Sequence, residues 1–136
     1  MSIRQEIDDY LGECGVFFFG TVAGDAPVIR PLGFKMLFEG ELYFGIGTFK
    51  DAYKQLAANP NVYICAMKPD GSGWLRVSGR AVCDSDPALV DACFAAMPDL
   101  KGLYDANGWE MGIFHLEDAR ATFIDGPMTP IKTVEF

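Results

Sequence analysis

The sequence has few of the residues that usually make a metal site. It has a single histidine, His115, and four cysteines among its 136 residues. None of them lies at the C-x-x-C or C-x-x-H spacing typical of zinc ligands. The cysteines (Cys14, Cys65, Cys83 and Cys93) sit among apolar or small neighbours, as buried free thiols do in a reducing compartment. We therefore expect neither a metal centre nor a disulfide framework.

Basic residues and long apolar runs are also scarce. Lys and Arg number 11 against 19 Asp and Glu, a net charge of −8, which argues against non-specific binding to nucleic acid or to an anionic membrane surface. No apolar run approaches the roughly 20 residues of a membrane helix. The N-terminal MSIRQEIDDYLGE is too acidic for a signal peptide. These features predict one cytoplasmic domain over residues 1–136.

Apolar residues, in contrast, are plentiful. Half of the chain is hydrophobic and 11 residues are Phe, which is more apolar material than a small monomer needs to form a core. We expect part of it to be buried between subunits.

The residue pattern predicts a mainly β fold with inserted helices. Ser2 and Gln5 resemble a capping box that starts a short helix ending near Gly12. Apolar runs separated by turns then predict three antiparallel strands, VFFFGTV, VIRPLGFKMLFE and ELYFGIG. The pattern then predicts a helix over 49–58, two strands over 62–67 and 74–84, and a helix after Asp86-Pro87. After these it predicts an irregular stretch over 98–110 and a last strand pair or one long bent strand over 111–124. Hairpin-length connections favour a small antiparallel barrel over a doubly wound fold.

The stretch YFGIGTFKDAYKQ, at 43–55, joins a strand to a helix and has features of an anion site. Glycines such as Gly47 allow a ligand to approach the backbone closely. Thr48 is placed either to cap the helix or to donate to a phosphate oxygen. Lys50 in a first helical turn opposes the helix dipole unless an anion lies nearby, whereas Asp51 beside it could satisfy the dipole alone. An ordinary capped helix and an anion site both fit this pattern.

Two further strands carry charge in unusual places. Arg30 shares a strand face with apolar residues, so it requires an ion pair with a carboxylate, a solvent-exposed face or an anionic ligand. Pro31 cannot donate to a ladder, which predicts an irregular or edge strand. Trp74, Arg76 and the residues that alternate with them form either solvated surface or a ligand contact.

Four motifs in this order resemble those of a known family. They are similar to segments of the FMN-binding split-barrel family related to pyridoxamine 5′-phosphate oxidase. The four motifs are V-I-R-P-L-G, L-Y-F-G-I-G-T-x-K, Q-L-A-A-N-P-N-V and W-L-R-V-S-G-R-A. The resemblance covers about residues 1–125. It implies a six-stranded antiparallel split β-barrel that forms a homodimer, with FMN bound at the subunit interface.

The resemblance also implies roles for particular residues. Arg30 would reach the FMN phosphate or ribityl chain, and the backbone of Pro31 and Leu32 would lie along the isoalloxazine. The phosphate-binding turn and the remaining expected contacts are Gly47, Thr48, Lys50, Gln55, Trp74 and Arg76. Of these, Trp74 and Arg76 would approach the cofactor from the partner subunit.

The implied function is that of an FMN-dependent oxidoreductase acting on an unknown small substrate. The C-terminal Arg-x-His substrate motif of the vitamin oxidases is absent from DGPMTPIKTVEF, so we do not expect pyridoxamine phosphate oxidation. The alternatives are a non-catalytic flavin module for electron transfer, storage or sensing, and an interaction barrel in which Arg30 and Lys50 are paired internally. A haem or deazaflavin binder is less favoured, because His115 is the only candidate axial ligand and single histidines are more often structural.

Overall fold

The computed structural model describes residues 1–126 and 128–136, which fold into a curved antiparallel sheet with helices packed against it. Its elements, in chain order, are α1 (Ile3–Cys14), β1 (Phe17–Ala23), β2 (Ala26–Leu32), β3 (Lys35–Phe38), β4 (Glu41–Gly47), α2 (Asp51–Ala58), β5 (Asn61–Met67), β6 (Gly73–Asp84), α3 (Pro87–Ala96), α4 (Pro98–Asn107), β7 (Met111–Asp125) and β8 (Thr129–Glu135).

The strands form one sheet in the order β2-β1-β5-β6-β7-β4-β3, with β8 paired to β7 outside this path. Every pairing is antiparallel. β7 pairs with β6 along one edge, and along the other edge with β4 and then β8. Curvature brings Phe19 of β1 within 5.6 Å of Phe114 of β7, measured between ring centroids. The two end strands, β2 and β3, do not pair with each other among the described residues, so the sheet is open.

The mainly β, antiparallel character with inserted helices is confirmed, but the prediction of a six-stranded barrel is wrong. The described residues form eight strands in an open sheet. Two strands are gained because the run VIRPLGFKMLFE is divided between β2 and β3, and because the C-terminal tail forms β8.

The division of that run lies at Gly33–Phe34, between β2 and β3. β2 pairs with β1, whereas β3 pairs with β4, so the predicted three-stranded meander is two separate hairpins. β2 is an end strand of the path, as Pro31 predicts, because an edge strand needs no N–H from that position.

The long strand β7 is continuous and contains a bulge at Asp118. The register with β6 shifts by one residue there, and Asp118 has a positive φ of 50°. Up to Leu116 the even-numbered side chains face the core, and from Ala119 onwards the odd-numbered ones do. The bulge therefore lets one strand keep an apolar inner face across two differently oriented parts of the sheet.

Two of the helices differ from the sequence prediction. α1 begins as predicted, because the Ser2 hydroxyl accepts a hydrogen bond from the Gln5 N–H at 3.1 Å, but it continues to Cys14. The stretch over 98–110, predicted to be irregular, forms α4. Pro98 occupies its first turn, and Gly108 ends it with a left-handed φ of 66°.

The core has two parts. The larger part lies inside the curved sheet under α1 and α2 and contains the ring cluster of Phe17, Phe19, Phe44 and Phe114. The smaller part lies between α3, α4 and the sheet, around Cys93 and Tyr104. Helices α3 and α4 are thus packed on the sheet with a core of their own.

Three further features concern the described part of the chain. None of its helices is both long enough and apolar enough to span a membrane. Its His, Cys, Asp and Glu side chains form no group of three or more that would hold a metal ion. All four cysteines are free thiols.

Candidate functional site

Arg30 lies at the centre of a polar cluster inside the sheet. Its Nη1 donates to the Phe19 carbonyl at 3.2 Å and to the Thr21 hydroxyl at 2.8 Å, and its Nη2 donates to Gln55 Oε1 at 2.8 Å. The Thr21 hydroxyl donates to the same Gln55 oxygen at 2.6 Å. The contacts join β1, β2 and α2 and hold the guanidinium in one position.

The charge of Arg30 has no counter-ion within residues 1–126 and 128–136. All of its hydrogen-bond partners are neutral, and no carboxylate lies within ion-pair distance. Burial lowers the pKa of Arg30, yet a guanidinium remains protonated at any physiological pH. Of its five N–H groups, those on Nε and one on Nη2 are still available. An internal ion pair of Arg30 is therefore excluded for the described residues.

The N-terminus of α2 differs in one respect from its prediction. The helix begins at Asp51 and has Lys50 at the N-cap, with no side-chain cap, so the prediction of Thr48 as the cap is wrong. The hydroxyl of Thr48 instead donates to the Glu110 carbonyl at 3.3 Å, because the backbone of Thr48 is itself held there by a 2.9 Å hydrogen bond. Lysine is not a favoured N-cap residue.

The side chain of Lys50 is exposed and forms no ion pair in the described part of the chain. Its Nζ lies 6.0 Å from the Phe49 ring centroid. Lys50 is five residues before Gln55, which places it about 7 to 8 Å along the helix axis from the residue that holds Arg30. Arg30, which contacts Gln55 of α2, and Lys50, at the N-cap of α2, are therefore two cations at the same helix without a counter-ion among the described residues.

A groove beside Lys50 runs between the β2–β3 junction, the end of β4, and α4. Its cavity volume is about 160 Å³. Its lining residues come from these three parts of the fold, namely Leu32, Gly33, Phe34, Gly45, Ile46, Gly47, Lys50, Met97, Leu100, Tyr104 and Met111. The groove thus brings together the predicted site residues Leu32, Gly47 and Lys50.

Other predicted site residues lie on the opposite face of the sheet. Pro31, Trp74 and Arg76 point outward from β2 and β6, on the side away from the core. The Arg76 guanidinium lies 5.8 Å from the Trp74 ring centroid. Within one chain, the sheet separates these three residues from Arg30 and Leu32.

His115 is held by two carboxylates. Its Nδ1 lies 2.6 Å from Asp84 Oδ2 and its Nε2 lies 2.9 Å from Glu117 Oε2, while the Tyr43 ring packs edge-on at 5.9 Å. Burial disfavours the imidazolium, but the hydrogen bonds to Asp84 and Glu117 outweigh it, and the pKa of His115 is raised. Both ring nitrogens are engaged, so His115 is a structural residue here and a poor axial ligand for haem.

The His115 contacts predict a pH-dependent contribution to stability. A raised pKa means that the contribution is complete below the ordinary value of 6.5 and is lost as the pH rises through the raised one. We expect His115→Gln to destabilise the fold more at about pH 6 than at about pH 8.5. Urea unfolding of both proteins at the two pH values measures this. An equal loss of unfolding free energy in His115→Gln at both pH values would show that the imidazolium makes no ionic contribution to stability.

The sequence analysis missed two residues that the structure places at the site, Thr21 and Tyr104. Thr21 lies on the inward side of β1, in line with Phe17 and Phe19, and is 3% exposed. A hydroxyl at an inward position of an apolar strand is a signal that could have indicated a buried polar partner. Tyr104 was missed because its segment was not recognised as a helix.

The fold is shared with several solved structures. The chain is similar to a NimC/NimA family protein from Clostridium acetobutylicum, with a TM-score of 0.86 and 28% identity over 98% of this chain and 92% of that one. It also resembles a pyridoxamine 5′-phosphate oxidase-related, FMN-binding protein from Nostoc punctiforme (TM-score 0.69, 18% identity, 92% and 85% covered). A third similar structure is a haem-binding protein from Mycobacterium smegmatis, with a TM-score of 0.68 and 16% identity over 100% of this chain and 58% of that one.

The sequence itself identifies the family. The family model described as pyridoxamine 5′-phosphate oxidase matches residues 3–108. The chain therefore belongs to the pyridoxamine 5′-phosphate oxidase family, as its four motifs indicate. No curated protein matches the chain in sequence.

Proposed function

We propose that this protein binds FMN between two copies of itself and acts as an FMN-dependent oxidoreductase on a small substrate. The observation that carries the proposal is a pair of cations without counter-ions among the described residues at one helix. Arg30 is hydrogen-bonded to Gln55 of α2, and Lys50 lines a groove at the uncapped N-terminus of α2. The relative from Nostoc punctiforme, which is described as FMN-binding, supports flavin as the ligand.

The residues present fit a phosphate monoester at one end of the groove. The N-terminus of α2 has no side-chain cap, so its first N–H groups and the helix dipole favour an anion there. Lys50 at the N-cap becomes stabilising once a dianion is bound. Arg30 is held by Thr21 and Gln55 with two N–H groups still available, and it would complete the charge compensation.

The other end of the groove fits a flat ring. Leu32 and Gly33, where β2 ends, line it, and Gly33 has no other atom within 4 Å of the position where a Cβ would be placed. This leaves the backbone of the β2–β3 junction accessible to an isoalloxazine. Bound there, flavin would supply hydride or electron transfer, and the protein would position the ring and control access to it.

The small volume of the groove supports a site shared between two subunits. Ligand pockets usually measure about 300 to 1,000 Å³, whereas this groove has about 160 Å³ in the isolated chain. Pro31, Trp74 and Arg76 lie on the outer face of the sheet. They would complete the site only if a second copy presented its own Trp74 and Arg76 to the first.

The outer face of the sheet has the character of an interface. Phe18, Ile29, Tyr63 and Met67 lie on adjacent strands β1, β2 and β5 and point to the same side. Their exposed fractions are 50%, 66%, 49% and 60%. A contiguous apolar face of this kind favours association, and we assign its occupant as a second copy of the chain.

The groove also bears on the choice between an enzyme and a carrier. None of Trp74, Trp109 and Phe136, whose side chains could have covered a flavin, lines it. Trp109 stacks on Phe49 with ring centroids 4.2 Å apart, and Phe136 packs against the main core. Within this chain, therefore, none of the three rings covers the groove, and substrate access would depend on how the partner's Trp74 is placed.

The proposal is tested by titrating the purified protein with FMN and following flavin fluorescence and visible absorption. We expect quenched fluorescence, shifted flavin bands and one FMN per chain in a dimer. A nicotinamide donor is then added without oxygen, and bleaching of the flavin band followed by recovery with an acceptor supports the enzyme. Bound flavin that no donor reduces would favour the carrier, and a spectrum unchanged by FMN would overturn the proposal.

A further inference from the structure

Tyr104 is a largely buried residue of α4 in the smaller part of the core. It is 4% exposed, and its ring packs edge-on against Phe49, Phe94 and Trp109 at centroid distances of 5.6 to 5.8 Å. The hydroxyl makes no hydrogen bond to any described residue. Because the oxygen is not sealed inside the core, it can reach a ligand in the groove that Tyr104 lines.

The hydroxyl of Tyr104 lies beside the turn that leads into α2. A Cβ atom placed on Gly47 would lie 2.5 Å from a carbon of the Phe49 ring and 2.7 Å from Tyr104 Oη, so only glycine leaves room for both side chains there. The turn is closed by a 3.0 Å hydrogen bond from the Lys50 N–H to the Gly47 carbonyl. Tyr104, Gly47 and Lys50 line the same groove. The hydroxyl therefore lies at the groove beside Lys50 and the N-terminus of α2.

The protonation state of Tyr104 makes it a donor. Burial, together with the nearby Cys93, raises the pKa of Tyr104 above its ordinary value. The phenol thus keeps its proton at neutral pH and has an O–H to give. An anionic oxygen is the acceptor that would satisfy it best, because hydrogen bonds to charged groups are the stronger ones.

We infer that the Tyr104 hydroxyl donates a hydrogen bond to the phosphate of FMN, so that α4 forms one wall of the phosphate site. The inference rests on the proposed function and adds a phosphate-binding residue from a helix that none of the sequence motifs includes. It also assigns a purpose to Gly47, whose missing side chain admits the hydroxyl to the phosphate turn.

The experiment compares FMN with riboflavin, which has the same ring and ribityl chain but no phosphate. Dissociation constants of both ligands are measured by fluorescence quenching for the wild-type protein, for Tyr104→Phe and for the control Tyr10→Phe. Tyr10 packs on Phe123 at 5.6 Å and does not line the groove. Tyr104→Phe keeps the ring packing and removes only the hydroxyl.

We expect Tyr104→Phe to weaken FMN binding by about tenfold or more while riboflavin binding is unchanged, and Tyr10→Phe to alter neither. Unchanged FMN affinity in Tyr104→Phe, or an equal loss for both ligands, would overturn the assignment to the phosphate while leaving the proposed function intact. Wild-type protein that binds no FMN would instead overturn the proposed function and this inference with it.

Discussion

Arg30→Met is expected to weaken FMN binding by about ten- to a hundredfold, which corresponds to about 1.5 to 3 kcal/mol for hydrogen bonds to a charged group. Methionine keeps much of the length of the side chain but has neither the charge nor the N–H groups. The Thr21 hydroxyl still donates to Gln55 at 2.6 Å, so the cluster loses only part of its hydrogen bonding. Titration of the variant with FMN measures the loss, and urea unfolding without FMN separates it from a loss of stability.

Arg120→Met is the matched control for this variant. Arg120 has the same charge and lies on β7, paired with Glu135 at 2.7 Å on the surface, away from the groove. We expect its FMN affinity to equal that of the wild-type protein. If both arginine variants bind FMN equally well, the assignment of Arg30 to the cofactor is wrong. An equal decrease in both would indicate a general effect of net charge.

Phe18→Asp is expected to produce a monomer that no longer retains FMN. Phe18 lies on β1 at the middle of the apolar outer face, between Pro31 of β2 and Cys65 of β5. A two-fold interface would bury two unpaired carboxylates, one per subunit, at a cost of about 3 kcal/mol or more and thus a hundredfold or more in the dimer dissociation constant. Sedimentation velocity over a range of concentrations, with FMN absorption recorded in the same runs, measures both effects.

Ile131→Asp is the control for that substitution. Ile131 is an apolar residue on β8 that is 62% exposed, against 50% for Phe18. Four strand spacings separate it from β1, about 19 Å across the sheet. We expect this variant to remain dimeric and to keep its flavin. Dimeric Phe18→Asp protein would place the interface elsewhere, and a Phe18→Asp monomer with wild-type FMN affinity would show that one subunit forms the whole site.

The sequence predicted the parts of the fold that local patterns control. The cap at Ser2 and the start of α3 at Asp86-Pro87 each follow from residue types at short spacing. For 111–124 the pattern left a strand pair and one long bent strand open, and the structure has one strand. The pairing of strands does not follow from such local patterns. The run that contains Arg30 alternates without interruption from β2 into β3, and only the tertiary structure shows that its two halves pair with different strands.

The candidate site was predictable to the extent that charge and glycine placement reveal it. The structure brings Arg30 to Gln55 of α2 and places Gly47 and Lys50 in the groove, while their roles toward a cofactor stay predictions. The position of the helix start was wrong by two residues, because Thr48 is bonded to the Glu110 carbonyl from a distant segment. Long-range contacts of this kind leave no local trace in the sequence.

The position of β7 has a consequence for how the chain folds. Without that strand, the hairpin of β3 and β4 and the four strands from β2 to β6 have no pairing in common. They are joined only when Gly47 pairs with Met111 and Cys83 pairs with Phe114. Such contacts close long loops, so the contact order is high and folding is expected to be slow for a chain of this size. During synthesis, we therefore expect the complete sheet to assemble only after β7 has left the ribosome.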